Sequence, residues 1–145
     1  MKIAIGLEKR YTKKEILVAY LNVAYFSDQT YGIEAAAQRY FGVSAANLTL
    51  AQSASLIAIV QYPNQRGLDD PENFGENEVR RDFILGQMLK EGFITQEQYD
   101  EAYAIPVDEA FVAAGVPPQQ GCRTADVYFR WFCDYVVKSV KDLEF

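Results

Sequence analysis

Apolar residues recur at helical spacing along much of this chain, and three of the runs open on the same local signal. Thr12 is followed by Glu15, a Thr-x-x-Glu pair that caps a helix start, and Ile16, Leu17, Tyr20, Leu21 and Ala24 then mark one buried face. Thr49 with Gln52 opens LAQSASLIAIV, where Ala51, Ala54, Ser55 and Ala58 form a small-residue stripe among larger apolar residues. Pro63 cannot continue that helix and pushes Tyr62 out of helical geometry, so it is expected to stop near Gln61. Thr95 with Gln98 opens a third, short helix that ends before Pro106. Between these, Gly32 precedes IEAAAQRYF, with Gly42 placed for a left-handed C-terminal cap. Glu76–Gly92 reads as a further helix whose inner face is Val79, Phe83, Ile84, Met88 and Leu89. Met1–Glu8 is apolar on almost every side, as expected of a central buried helix, and no cap precedes it, as expected of a truncated start.

Two stretches break the pattern. Tyr62 to about Gly75-Glu76 is rich in turn formers and reads as the longest irregular connection of the body, of the kind that often carries function. From Pro106 onward the sequence reads as an extended linker with two adjacent prolines, followed by the amphipathic segment ADVYFRWFCDYVVKSV. Its Phe129, Trp131, Phe132, Tyr135 and Val136 need a partner surface. Residues 1–105 and 106–145 are therefore expected as body and linker.

Composition narrows the chemistry. At 145 residues, the chain makes one domain, or one domain with a tail, and can bury a core without staples. Half the residues are apolar, with ten Tyr and nine Phe, which excludes a disordered chain. A net charge of −6 without a basic stripe argues against nucleic acid. No histidine is present, which removes His-based triads and the commonest general base. Cys122 and Cys133 cannot build a zinc site alone; they are a candidate disulfide in an exported protein, or two free thiols in a cytosolic one. No apolar run is long enough to span a membrane, and no export leader opens the chain.

The literal strings go further. Lys13-x-x-Ile16-Leu17-x-x-Tyr20-Leu21-Asn22, then Tyr31-Gly32-Ile33-Glu34-Ala35-Ala36 with Tyr40-Phe41-Gly42, then Arg80 with Ile84-Leu85, occur in this order. The set resembles the motifs of peptidoglycan glycosyltransferases, the membrane-associated domains of class A penicillin-binding proteins and their monofunctional relatives. The likeness covers about Met1–Ala104, and more loosely the pieces around Cys122 and Cys133, which resemble the join to a transpeptidase module.

The resemblance implies an all-α, lysozyme-like glycosyltransferase fold, here lacking its N-terminal part. It implies a parent enzyme at the extracytoplasmic face of the bacterial plasma membrane, anchored through a missing N-terminal part and followed by a missing transpeptidase domain. That parent polymerises lipid II into a glycan strand, releasing undecaprenyl pyrophosphate, with a divalent cation such as Mg2+ as a candidate helper and no cofactor in this chain. The family's two catalytic carboxylate motifs are not in this sequence; the second is expected to end just upstream of Met1. No catalytic residue and no metal ligand is therefore assigned, and the isolated chain is expected to be inactive. Lys13, Asn22, Glu34 and Arg80 are expected to brace the cleft or touch substrate at its edge. Glu8 is expected to be structural. Val18 stands where the family usually has Glu, Ser27 where Gly is usual, and Gln52 where Glu is common; the latter two are expected to change only local backbone or capping. Two other classes compete: a non-catalytic helical interaction module, and a lysozyme-like glycosidase drawing on Glu8, Glu15 or Glu34, which would need two carboxyls flanking one bond.

Overall fold

The computed structural model describes residues 6–112. In order, they form helices α1 (Lys13–Val23), α2 (Ile33–Phe41), α3 (Leu50–Gln61), α4 (Pro63–Arg66), α5 (Phe74–Lys90), α6 (Gln96–Tyr103) and α7 (Glu109–Val112). Short 3-10 turns lie at Ala45–Asn47 and Pro71–Asn73. Among the described residues the only extended pairing is a single bridge between Tyr25 and Tyr31.

The capping signals act where the sequence puts them. Thr12, Thr49 and Thr95 each accept the N–H three residues on, and the side chain at that position accepts the threonine's own N–H in return. Each box satisfies two of the donors that a helix start leaves without partners. Gly42 and Gly92 take the left-handed conformation just past α2 and α5.

The core has two parts. One gathers Ala24, Phe26, Ala36, Ala37, Tyr40, Phe41, Leu56, Ile59, Leu68 and Val107. The other joins Ala51 and Ala54 of α3 to Leu85 of α5 and Ala102 of α6. The small-residue stripe of α3 thus allows the α3–α5 approach, the most extensive helix pair among the described residues. Phe111 packs against both parts and meets Phe41 edge to face, ring centroids 5.2 Å apart.

Several expectations are corrected. No residue of α1 is buried: Leu17 is 55% and Tyr20 51% exposed, so the apolar face of this helix is not covered by the described body. Of the Met1–Glu8 segment, residues 6–8 form a helical turn exposed at Gly6, Leu7 and Glu8, and the apolar residues 1–5 that suggested a central rod lie outside the described residues. On α5 the fully buried positions are Asn77, Arg81 and Leu85, while Val79 is 71% and Phe83 54% exposed. Positions two residues apart lie roughly 200° apart round a helix, so the two faces are nearly opposite. The polar side chains turn inward because buried carbonyl oxygens wait for them there. The Tyr62–Gly75 connection also holds more order than expected: Pro63 starts α4, Pro71 starts a 3-10 turn, and α5 begins at Phe74. After Pro106, Val107 is buried and its N–H donates to Glu78 Oε2 at 2.7 Å, and residues 109–112 form α7. Cys122, Cys133 and the segment from Ala125 lie outside the described residues.

Candidate functional site

Three of the four named residues lie along α1 and the start of α2. Lys13 is the first residue of α1 and exposed. Asn22 lies nine residues on, about 14 Å along the axis at the rise of an α-helix. Its side-chain N–H donates to the Val18 carbonyl at 2.9 Å, and its own backbone oxygen faces Gly32. A Cβ at residue 32 would stand 2.8 Å from that oxygen, and Gly32 has φ +86°. Only glycine fits both the space and the backbone there, which explains its place in the Tyr-Gly-Ile-Glu string.

Glu34 sits in the first turn of α2, is exposed, and accepts from the Ala45 N–H (2.8 Å), Ser44 Oγ (3.2 Å) and Gln38 Nε2 (3.4 Å). The backbone bond from Ala45, helped by Gln38, holds this carboxyl below its usual value despite a small opposing effect of desolvation. Glu15 is lowered in the same sense by the N–H and hydroxyl of Thr12. A general base must compete for a proton near the working pH. Carboxylates whose lone pairs are occupied and whose ionised form is favoured suit helix ends and braces better.

Arg80 lies apart from this group. It is half-buried on α5, its guanidinium 5.0 Å from the centroid of Phe83, and α5 packs on α3, α4 and α6. Its neighbour Arg81, unremarked in the sequence, is the buried one at 0% exposure. Arg81 donates through Nη1 to the Ile105 carbonyl at 2.6 Å and through Nε to Asp82 Oδ1 at 2.9 Å. One arginine of the pair thus ties α5 to the chain after α6, and the other stays available at the surface.

The turn between α1 and α2 is the second feature that periodicity could not reveal. Ser27, Asp28 and Gln29 have φ of +67°, +42° and +55°, three consecutive left-handed residues without a glycine. The turn is held by two backbone bonds, Phe26 N–H to Thr30 O and Thr30 N–H to Ser27 O, both 2.8 Å. Asp28 pairs with Arg39 of α2 at 2.8 Å, and the buried Tyr40 hydroxyl donates to the Phe26 carbonyl at 2.8 Å. Burial, with the Asp69 charge nearby, pushes the Tyr40 phenol well above its usual range, so it stays a donor. On the outside the turn presents Tyr25 and Tyr31, ring centroids 5.0 Å apart. The one hint in the sequence was Ser27 itself, at a position where glycine is usual in the resembled family.

Among the described residues, no three His, Cys, Asp or Glu side chains converge to hold a metal ion.

These helices and strings have counterparts in known proteins. Residues 1–89 match the family model described as Transglycosylase. The chain belongs to the transglycosylase family. Penicillin-binding protein 1A of Streptococcus pneumoniae (strain ATCC BAA-255 / R6) is 34% identical over 143 residues, 98% of this chain and 18% of that protein. Penicillin-binding protein 1A/1B of Bacillus subtilis (strain 168) is 41% identical over 113 residues, 77% of this chain and 12% of that protein. The crystal structure of penicillin-binding protein 1A from Haemophilus influenzae superposes with a TM-score of 0.59 at 37% identity, covering 67% of this chain and 14% of that one. The chain thus spans about a fifth or less of the length of these relatives. The all-α transglycosylase fold expected from the motif strings is the fold observed. Among the described residues, no helix is long and apolar enough to cross a membrane.

Proposed function

We propose that this chain forms part of a peptidoglycan glycosyltransferase whose whole protein polymerises lipid II at the extracytoplasmic face of the plasma membrane. The observation that carries the reading is the match of residues 1–89 to the transglycosylase family, with the motif strings on α1, α2 and α5. In this reaction the 4-hydroxyl of one lipid-linked disaccharide attacks the anomeric carbon of the growing glycan, and undecaprenyl pyrophosphate departs. The hydroxyl proton needs a carboxylate within hydrogen-bond reach, and the leaving group needs cationic donors. Lys13 and Arg80 offer exposed or half-exposed cations of the second kind, and Asn22 stands at the junction of α1 and α2. Glu34 serves as a brace between α2 and the Ala45–Asn47 turn. A transpeptidase module following this region, and membrane attachment outside it, belong to the same proposal.

The chain on its own does not polymerise lipid II in this reading. Glu15 and Glu34, the carboxylates on α1 and α2, are committed to Thr12 and to Ala45. Incubating the purified chain with lipid II and separating the products on a gel should give no glycan polymer. Polymer formed by the chain alone would overturn the inactivity, and failure of the full-length protein to polymerise would overturn the assignment itself. A glycosidase reading is disfavoured by the same carboxylates, since it needs two of them free to flank one bond.

A further inference from the structure

The turn after α1 joins two of the motif strings, with Asn22 just before it and Glu34 just after it. Its left-handed run over Ser27, Asp28 and Gln29 is a backbone that side chains other than glycine seldom adopt in succession, and it persists only where its surroundings over-determine it. Gly32 N–H donates to the Ala24 carbonyl at 2.9 Å, outside the Phe26–Thr30 bond. These backbone bonds close the turn on itself but do not fix where it stands against α2. Two side chains of α2 do that. Arg39 holds Asp28 at the rim, where both side chains are partly exposed. Tyr40 is fully buried, and its hydroxyl donates to the carbonyl of the equally buried Phe26 at 2.8 Å, with Asp69 Oδ1 the next acceptor at 3.4 Å.

The two clasps differ in what they can do. A partly exposed ion pair contributes little and tolerates several geometries. A hydroxyl-to-carbonyl bond in a packed interior is directional, and without the hydroxyl the Phe26 carbonyl loses that donor where water does not replace it. The Tyr40 ring belongs to the same core as Phe41, Leu56 and Ile59, so its hydroxyl is a fixed point against which the turn is set. We propose that Tyr40 is a positioning residue of the glycosyltransferase site: through the Phe26 carbonyl, its hydroxyl sets the α1 string that ends at Asn22 against the α2 string that opens at Gly32. The inference rests on the glycosyltransferase reading above. Tyr40 acts through backbone four residues from Asn22 and meets no substrate itself. Its contribution is preorganisation, and a misplacement of about 1 Å far from the chemistry can cost about a hundredfold in rate.

Tyr40→Phe keeps the ring and removes the hydroxyl. In the chain itself, amide hydrogen exchange should quicken at Phe26 and Thr30 by about tenfold or more relative to the amides of α3. In the full-length protein, lipid II polymerisation measured well below each variant's unfolding midpoint should show kcat lower by about tenfold and KM within about twofold of wild type. A residue that only adds stability would leave both constants unchanged there. Equal kcat in Tyr40→Phe and an active wild type would overturn the positioning role and leave the glycosyltransferase reading standing. A full-length wild type that makes no polymer would overturn both. Exchange that quickens equally over α1, α2 and α3, or a rise in KM alone, would also overturn the positioning role. Should Tyr40→Phe fold poorly, it is compared with its parent on a Ser27→Gly background, and equal kcat with and without the hydroxyl there would count against the proposal in the same way.

Discussion

At Ser27 the residue type and the backbone disagree most sharply. A side chain at φ +67° costs roughly 1–2 kcal/mol relative to glycine, and a glycine returns part of that as unfolded-chain entropy. Ser27→Gly should therefore raise stability by up to about 1 kcal/mol, read from the urea midpoint at unchanged slope. Glu34 makes the opposite case, a residue well matched to its place. Its carboxyl is lowered in the folded chain from a value near 4.5, so the stabilisation is present above that value and is lost as pH falls through the folded pKa. Glu34→Gln should flatten the fall in melting temperature on the acid side of pH 4.5, while Glu15, lowered by its own capping box, leaves a residual slope. The glutamate's place on α2 was readable from the Tyr-Gly-Ile-Glu string. Its bond to the Ala45 N–H was not, because that partner lies across a turn whose path no local pattern dictates.

At the scale of elements, what the sequence displayed well was local. Capping boxes at Thr12, Thr49 and Thr95 involve groups three residues apart, so the residues that make them are written side by side. Helix faces are different, since an apolar stripe says that a helix wants cover without saying which neighbour provides it. On α5 the stripe through Val79 and Phe83 lost to the one through Asn77, Arg81 and Leu85. Arg81 explains why: its Nη1 supplies the partner that the Ile105 carbonyl would otherwise lack. Arg81→Ala should cost about 3 kcal/mol, at the lower end for breaking a buried charged pair because Asp82 keeps some contact with water. Arg80→Ala, on the half-buried side, should change stability by less than about 0.5 kcal/mol, so chemical denaturation of the two variants distinguishes neighbouring arginines.

For the molecule as a whole, the all-α architecture followed from the motif strings and from helical spacing. The ordering of the chain after Pro106 did not. Two prolines further on and the lack of a sustained period made this region read as a linker from its first residue. Val107 and Phe111 are single apolar anchors too widely spaced to register as a pattern, yet both enter the core. Phe111→Ala should destabilise the chain by about 2–3 kcal/mol, less than a fully buried phenylalanine because the ring is half-buried. Thermal unfolding should remain a single transition, since the ring touches both parts of the core.

That last contact has a mechanical side. Tension applied to the chain beyond Val112 would not act on a slack tether at Pro106. It would load the Phe41–Phe111 ring contact and the Glu78–Val107 bond first, delivering the pull to α2 and α5 at once. A pull that arrives at Val112 is thereby delivered to the two helices that carry the Glu34 and Arg80 strings.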